Sequence, residues 1–413
     1  MTRKRWFTPY LGVALALCLT LGHSLGYSAP AIASELLSPE PSSPALSSPK
    51  PAGIKWSRLQ SLSPDGHAGD LAGGQQLISA LPPGDAITDG KALLRYALPI
   101  DNKPIREVQR EIEDISERLR IQGTRAVGGL KRNIKRAEKA LRRPERILAD
   151  VPPEHELEVK RLLDQVRTGL ADLQTYANER DKEAVWIKRG EMLNQIGQIE
   201  RLMVGEAPFE VPEVYSNLPQ LHGRATVEMA TDKGTMVITV DGYNAPLTAG
   251  NFIDLVQRGF YDGLPVVREE EFYVVQMGDP EGPEDGFVDS KTGETRTIPM
   301  EIALRDDGEP VYGMTLEQAG LYLADPILPF SAYGTLAMAR PDSDPNGGSS
   351  QFFFLRFESE LTPAGINLLD GRYAVFGYVI ENEDVLDRLR VGDRIQSITV
   401  LDGAENLVQP QAA

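Results

Sequence analysis

The spacing of apolar residues divides the chain into a helical part and a strand-rich part. Between residues 104 and 204, apolar positions recur every three or four residues, which places them on one face of a helix. Pro104 fits a first helical turn, and Pro144 is expected to bend or end the second helix. Four such stripes with short connections predict an up-and-down bundle over residues 85–206. The stripes are Val108, Ile112, Ile115 and Leu119; Leu130, Ile134, Ala137 and Leu141; Val159, Leu162, Leu163, Val166, Leu170, Leu173 and Tyr176; and Trp186, Leu193, Ile196, Ile199 and Leu202 or Met203.

From Gly223 onwards the pattern becomes that of β-strands. Residues 225–229 and 234–240 flank a turn and predict a hairpin. Thr248 is expected to cap a following helix, and a further helix is predicted over residues 316–322. Later in the chain, a glycine and serine turn leads into the segment Gln351-Phe352-Phe353-Phe354-Leu355, where Gln351 and Phe353 share a face. Taken alone, this segment is typical of an ordinary core strand; alternatively, it forms the wall of a small pocket.

The N-terminal residues have the features of an export signal. Arg3, Lys4 and Arg5 precede an apolar run, residues 11–21, that is too short for a good membrane span. The small residues around Ile32 predict cleavage after Ala33, so residues 1–33 are interpreted as a signal peptide, with an uncleaved anchor as the alternative. Residues 34–84, rich in proline, serine and glycine, cannot bury enough apolar surface to offset their ordering entropy and are predicted to be a linker.

Charge and composition exclude several kinds of function. The formal net charge of -17 argues against a nucleic-acid partner. The single cysteine is Cys18, and no histidine follows His222, so the chain beyond residue 222 has no thiol or imidazole for catalysis or metal binding. No cofactor and no metal are therefore predicted.

The bundle region contains a strongly basic run over residues 131–146. Such runs are usually solvated helix faces. Two functional alternatives remain open. The run could dock an acidic partner or anionic lipid headgroups, giving peripheral membrane contact, or it could lie against the acidic C-terminal part of the same chain.

Several short motifs occur in the C-terminal half in the order in which they occur in cyclophilins. They are Ala249-Gly250-Asn251-Phe252, Gly259-Phe260-Tyr261-Asp262-Gly263, Arg268, Gln276-Met277-Gly278-Asp279, Met338-Ala339, Ser349-Ser350-Gln351-Phe352-Phe353 and Leu369-Asp370-Gly371-Arg372-Tyr373-Ala374-Val375-Phe376-Gly377. The chain most resembles the large thylakoid-lumen cyclophilins of plants and cyanobacteria, which place a helical domain before the cyclophilin domain. Residues 293–299, 312–317 and 361–363 are similar to that subgroup.

This resemblance implies a fold, an activity and a cellular setting. The expected fold is a closed antiparallel eight-stranded β-barrel with capping helices over residues 207–413, preceded by the helical bundle. The implied activity is peptidyl-prolyl cis-trans isomerisation without a cofactor. The implied clients are proline-containing polypeptides, among them lumenal loops of photosystem II subunits. The implied location is the thylakoid lumen or the periplasm.

The resemblance also assigns roles to individual residues. Arg268 matches the arginine that donates to the prolyl nitrogen, and Gln276 matches the glutamine that orients the substrate backbone. The substrate-binding positions are Tyr273, Val274, Ala339, Arg340, Gln351, Phe353, Leu368, Leu369 and Tyr373. A guanidinium suits the donor role because it is always charged and holds its N–H groups in a fixed plane. The alternative for Arg268 is a surface ion pair with Glu269, Glu270 or Glu271.

Four of these positions differ from the family pattern. The usual phenylalanine is Tyr273, the usual methionine is Val274, the usual tryptophan is Leu368, and the usual histidine is Tyr373. We therefore expect weak turnover. A cyclophilin-shaped binding chaperone or scaffold for membrane-protein loops is the alternative function. The segment 280–333 is longer than usual and could cover the pocket or contact the bundle; the bundle itself is expected to dock on the cyclophilin domain and restrain access.

Overall fold

A computed structural model describes residues 87–120, 124–205, 209–283, 285–290, 292–305, 309–357 and 367–410. The predicted signal peptide, the predicted linker and the motif at 361–363 lie outside the described residues. Within these ranges, none of the helices combines the length and the apolar character that a membrane span requires.

The described residues before 206 form helices, as the stripes predict. The helices are α1 (Gly90–Tyr96), α2 (Lys103–Glu113), α3 (Ile115–Arg120), α4 (Thr124–Ala140), α5 (Pro144–Leu148), α6 (Glu156–Glu179) and α7 (Lys182–Met203). Helices α2 to α7 share one apolar core, which most of the stripe residues build. Trp186 is an exception, because its side chain is 55% exposed and lies under the Arg189 guanidinium.

Two details of the bundle differ from the prediction. The first stripe belongs to two helices, because α2 ends at the C-cap Asp114 and α3 begins at the next residue. The stripe of the second helix begins at Leu130, but α4 begins at Thr124 and includes Gly128 and Gly129. A Cβ at Gly129 would lie 2.8 Å from Cδ of Arg118, so the glycine leaves room for this side chain between α3 and α4.

Helix α1 belongs to a different core from the rest of the bundle. Leu93, Leu94 and Ala97 are buried in the core of the strand-rich part. A Cβ at Gly90 would lie 2.8 Å from Cβ of Tyr378, so the helix backbone lies directly on the sheet. The helical part of the chain therefore contributes one helix to the packing of the strand-rich part.

The strand-rich part is built on one large antiparallel sheet. Its elements are β1 (Gln220–Leu221), β2 (Arg224–Thr231), β3 (Gly234–Asp241), α8 (Pro246–Gln257), β4 (Val266–Glu270), β5 (Val274–Met277), β6 (Glu301–Ile302), β7 (Val311–Tyr312), β8 (Thr335–Met338), β9 (Phe352–Leu355), β10 (Val375–Glu381), α9 (Val385–Arg388), β11 (Ile395–Asp402) and β12 (Leu407–Val408). The strand order is β11-β2-β3-β10-β8-β9-β5-β4, and the pairs β1–β12 and β6–β7 lie outside this sheet. The predicted hairpin is β2–β3.

The sheet curls strongly but is not a fully closed barrel, which corrects the expectation of closure. Among the described residues, the isolated bridge Pro265–Arg394 joins the edge strands β4 and β11. Backbone hydrogen bonds support it, from Val266 N to Asp393 O (2.7 Å) and from Ile395 N to Leu264 O (2.9 Å).

The N-terminus of α8 is capped by a residue from a distant part of the chain. The prediction that Thr248 is the cap is wrong, because the helix begins at Pro246 and its N-cap is Ala245. Instead, the buried Glu301 carboxylate on β6 accepts hydrogen bonds from Leu247 N, Thr248 N and Thr248 Oγ1, each 3.1 Å long. A carboxylate at this position compensates the free N–H groups and the positive end of the helix dipole.

The helix predicted over residues 316–322 is a single helical turn. Ala319 N donates to Thr315 O over 2.9 Å, and Gly320 follows with a left-handed φ of +74°. Glycine is the residue that adopts this conformation at little cost, so the helix ends there. Leu316 is buried in a small satellite core of the insertion 280–333 together with Met300 and Ile302.

Polar contacts join the bundle to the strand-rich part. Arg224 on β2 donates to the backbone oxygen of Leu94 and forms an ion pair with Asp241. Asn244 Nδ2 donates to Ala97 O over 2.9 Å. The basic run 131–146 takes no part in these contacts. Within the described chain, its one ion pair joins Arg136 to Glu111 of α2, inside the bundle.

A buried glutamate near this junction makes stability depend on pH. Glu200 on α7 is fully buried beside Arg106, whose Nη1 donates to its Oε1 over 3.2 Å. Burial raises the pKa of Glu200 from its ordinary value of 4.5 to about 7, while the nearby Arg106 and Arg95 lower it. A pKa that is higher in the folded state stabilises the fold at low pH, and this contribution is lost as the pH rises towards 7.

We therefore expect the free energy of unfolding to fall between pH 5 and pH 8 by up to about 3 kcal/mol from this group. Glu200→Gln is expected to flatten that part of the curve, since glutamine does not titrate. Urea unfolding of both proteins across this pH range measures the difference. Glu183→Gln, an exposed position on the same helix, serves as the control. Parallel curves for Glu200→Gln and the wild type would contradict the prediction.

Candidate functional site

Three neighbouring strands bring the predicted catalytic residues together. Arg268 on β4 is the direct antiparallel partner of Gln276 on β5, and Gln276 is the direct partner of Phe353 on β9. Directly paired residues present their side chains on the same face of a sheet. Arg268, Gln276 and Phe353 therefore form a row across the sheet, in which a cation and an amide lie next to an aromatic ring.

This row lies in an open pocket of about 450 Å³. Ten of the eleven predicted site residues line the pocket: Arg268, Tyr273, Val274, Gln276, Ala339, Arg340, Gln351, Phe353, Leu369 and Tyr373. Leu368 is not among the lining residues, and its side chain is 80% exposed. The roles of these residues in binding and catalysis stay predictions.

Aromatic contacts hold the floor of the pocket in place. The Phe353 ring is stacked on Phe330 with centroids 6.0 Å apart and an interplanar angle of 9°. Its other neighbour is the Tyr373 ring, which meets it edge-on at 5.2 Å. Phe353 is only 5% exposed, so the floor is a fixed apolar surface of the size of a small ring.

A chain of amide hydrogen bonds orients the polar wall. Gln276 Nε2 donates to Gln351 Oε1 over 2.7 Å, and Gln351 Nε2 donates to Asp279 Oδ1 over 2.7 Å. Burial, followed by the nearby charge of Asp285, raises the pKa of Asp279. The Gln351 amide has a partner on either side, and the Gln276 amide donates to it, so the Gln276 side chain is oriented through Gln351.

Arg268 lines the pocket and also has a partner on its own strand. Its Nε donates to Glu270 Oε1 over 2.8 Å, and its Nη2 donates to the same oxygen. Both side chains are about half exposed, and exposed ion pairs contribute only about 0–1 kcal/mol. The ion pair considered as the alternative for Arg268 is therefore present with Glu270, but it is weak enough to exchange for another acceptor.

The rim of the pocket is built around Tyr373. The Arg340 guanidinium lies 5.0 Å from the Tyr373 ring centroid and donates to Arg372 O over 2.7 Å. Tyr373 Oη donates to Asp342 Oδ1 over 3.3 Å, and burial together with this carboxylate raises the pKa of Tyr373. On the adjoining edge, Ala339 N donates to Gln351 O over 2.9 Å, so the amide of Ala339 is already used by the protein.

Three acidic residues near the pocket were not among the predicted site residues. Asp285 and Asp342 line it, and Glu270 binds Arg268. Asp285 belongs to the insertion 280–333, for which the sequence left open whether it covers the pocket or contacts the bundle. The insertion thus reaches the edge of the pocket, whereas no described residue of 87–205 lines it. The expected restraint by the bundle is therefore not a direct cover over the pocket.

The turn between β4 and β5 carries an exposed aromatic residue in an unusual conformation. Phe272 has a left-handed φ of +60° and is 73% exposed. A bulky residue rarely adopts this conformation, which costs of the order of 1–2 kcal/mol. The turn leads directly into Tyr273 and Val274 of the pocket.

The described residues contain no group of three or more histidine, cysteine, aspartate or glutamate side chains arranged to hold a metal ion. What the pocket offers chemically is an apolar floor, one oriented amide, one exchangeable guanidinium and an acidic edge.

Comparison with protein families finds two matching models. Residues 89–204 match the model described as peptidyl-prolyl cis-trans isomerase CYP38-like, PsbQ-like domain. Residues 226–403 match the model of cyclophilin-type peptidyl-prolyl cis-trans isomerases.

Several relatives match most of the chain, including the following two. A Synechocystis sp. protein named as a thylakoid lumen peptidyl-prolyl cis-trans isomerase is 52% identical over 333 residues, which cover 80% of this chain and 87% of the relative. The chloroplastic peptidyl-prolyl cis-trans isomerase CYP38 of Arabidopsis thaliana is 48% identical over 345 residues, covering 81% and 78% of the two chains. Among solved structures, a cyclophilin-type isomerase of Cryptosporidium parvum is 20% identical, covers 43% of this chain and 98% of its own, and has a TM-score of 0.31.

Proposed function

Because the chain belongs to the cyclophilin-type peptidyl-prolyl cis-trans isomerases that carry a helical domain before the cyclophilin domain, we propose that its pocket isomerises X–Pro bonds in exported polypeptides. The observation that supports this most directly is the row of Arg268, Gln276 and Phe353 on three paired strands. The row puts a donor and an oriented amide beside a surface on which a proline ring can lie.

The proposed mechanism is selective binding of the twisted amide. Resonance in the planar amide gives a barrier of about 18–20 kcal/mol. With the proline ring on Phe353 and the flanking backbone bound to Gln276, the Arg268 guanidinium donates to the prolyl nitrogen. That nitrogen is a better acceptor when the amide is twisted, so the donor stabilises the transition state more than the ground state. The residues make and break no covalent bond.

Glu270 is proposed to limit this activity by competing for Arg268. We expect Glu270→Gln to raise kcat/KM for a proline peptide by up to about fivefold, the range set by a half-exposed ion pair. The wild-type activity is expected to rise with salt for the same reason. Protease-coupled isomerisation of a proline peptide measures both effects.

Glu271→Gln is the matched control, because Glu271 is exposed on the adjoining turn, whereas the acceptor of Arg268 in the described chain is Glu270. An equal rise in both variants would indicate a general effect of charge. An unchanged Glu270→Gln activity would show that Glu270 does not restrain Arg268.

For the cellular role, we propose a folding helper in the thylakoid lumen that acts on lumenal loops of photosystem II subunits, with the signal peptide cleaved after Ala33. Support comes from the relatives, which are named as thylakoid-lumen or chloroplastic isomerases. The exposed basic face of α4 offers a contact for an acidic partner or for anionic headgroups at the membrane surface. Fractionation and crosslinking to photosystem II subunits test the location and the clients; recovery in another compartment would overturn the proposal.

A second candidate function is a binding chaperone that uses the same pocket without turnover. The observations that favour it are the Glu270 partner of Arg268 and the position of Leu368 outside the pocket. The two functions predict different effects of removing Arg268. An isomerase would lose turnover, whereas a chaperone would change little.

A further inference from the structure

A second cavity lies in the bundle, at the opposite end from the strand-rich part. It has a volume of about 250 Å³ and is lined by the last residues of α3 and α6 and the first turns of α4 and α7. The other end of α7 contacts the strand-rich part through Arg201, which pairs with Asp402. Since α7 has 22 residues, the two ends are about 33 Å apart. This cavity is therefore separate from the proline pocket.

The wall of the cavity is apolar. Leu130, Ala177 and Val185 are buried members of the bundle core and also line the cavity. Leu119, Ala126, Val127 and Tyr176 also line it. In the described part of the bundle, the apolar core therefore borders a cavity at this end, and a hydrocarbon group placed there would be removed from water.

The rim of the cavity is cationic. Arg118, Arg180 and Lys182 lie on it, and Lys182 Nζ also donates to Leu119 O over 2.9 Å. Among the described lining residues, Asp181 carries the one carboxylate. Asp181 is already engaged as the N-cap of α7, where it accepts from Ala184 N over 2.9 Å. The positive end of the α7 dipole adds to the positive potential at the same place.

At the rim, Arg118 has an N–H group that makes no hydrogen bond within the described part of the chain. Its Nε, which carries this group, is buried. Its aliphatic stem packs on Gly129, and the side chain lines the cavity. A buried guanidinium N–H without an acceptor is costly, and an anionic oxygen is the acceptor that compensates it best.

We propose that this cavity binds a small anionic amphiphile of the fatty-acid class. The carboxylate lies between Arg118 and Arg180, and the hydrocarbon chain lies along Leu130 and Val185. An apolar wall alone would bind hydrocarbon chains regardless of the charge of their head group. The three cations around the opening select the anion and disfavour neutral or cationic chains of the same length.

Calorimetric titration of the full chain with decanoate, decanol and decyltrimethylammonium tests this selection. We expect saturable binding of decanoate, about tenfold or more tighter than that of decanol, and none of the cation. Val127→Trp fills the opening of the cavity and is expected to weaken decanoate binding by about tenfold or more. Arg180→Glu is expected to weaken decanoate by about fivefold and to leave decanol unchanged.

Arg142→Glu is the matched control, because it removes an exposed bundle cation that does not line the cavity. Circular dichroism confirms the helix content of each variant, and isomerase activity is expected to stay unchanged in all of them. The proposal is overturned if decanoate does not saturate, if it binds no better than decanol, or if Arg142→Glu weakens it as much as Arg180→Glu. Val127→Trp with unchanged affinity would also overturn it.

Discussion

Replacing Arg268 with alanine is expected to lower kcat/KM for a proline-containing peptide by about two orders of magnitude, the usual effect of removing one transition-state donor. The reason is geometric: Arg268 is the cation in the row with Gln276 and Phe353. No other cation on this row can replace it, since Arg340 lies over Tyr373 and donates to backbone oxygens of the rim. Arg268→Lys is expected to recover little, because an ammonium lacks the planar fork of N–H groups.

The peptide assay should be combined with a binding measurement on the same variants. Arg388→Ala is the matched control, since Arg388 on α9 is also about half exposed and also paired with a carboxylate. If the pocket is catalytic, Arg268→Ala loses turnover and retains most of its affinity for a client peptide. Wild-type turnover in Arg268→Ala would disprove the donor role. If neither the wild type nor Arg268→Ala shows turnover and both bind the client peptide equally well, the binding-chaperone function is favoured.

Replacing Glu301 with alanine is expected to reduce the free energy of unfolding by about 2–4 kcal/mol. The carboxylate is fully buried and is the acceptor for two backbone N–H groups and one hydroxyl at the start of α8. Alanine would leave these buried donors without an acceptor and would also remove a helix cap. Urea unfolding of the full chain gives the difference.

Glu301→Gln is expected to reduce the free energy of unfolding by an intermediate amount. The glutamine side chain keeps one oxygen as a hydrogen-bond acceptor but has no negative charge. Glu294→Ala, an exposed position in the same insertion, is expected to change stability by less than about 0.5 kcal/mol. A loss in Glu301→Ala no larger than that in Glu294→Ala would show that this contact does not hold α8.

Local pattern was enough to predict the elements that bury their own apolar stripe. The period of the stripes indicated α2, α4, α6 and α7, since each of these helices has a continuous apolar face for one shared core. Helix α1 was missed because it is only seven residues long and packs into the other core, which a periodic pattern within the helical region does not reveal.

In the site, too, some residues could be predicted from the sequence and others could not. Motif order assigned Arg268, Gln276 and Phe353, and alternation along β4 is consistent with the partner Glu270, which lies two residues after Arg268 on the same face. Asp285 and Asp342 could not be placed in the pocket from their positions in the chain, because loops of the insertion and of the β8–β9 connection bring them there.

The sequence by itself determined the division into helices and strands and the residue types that isomerisation needs. These features depend on side-chain period and chemistry, which are properties of short segments. Only the tertiary structure decided that the row lies across three strands, that Glu301 caps α8, that the sheet curls without forming a fully closed barrel, and that the bundle cavity lies among three cations. Each of these depends on contacts between residues far apart in the chain, which form only when the whole structure has packed.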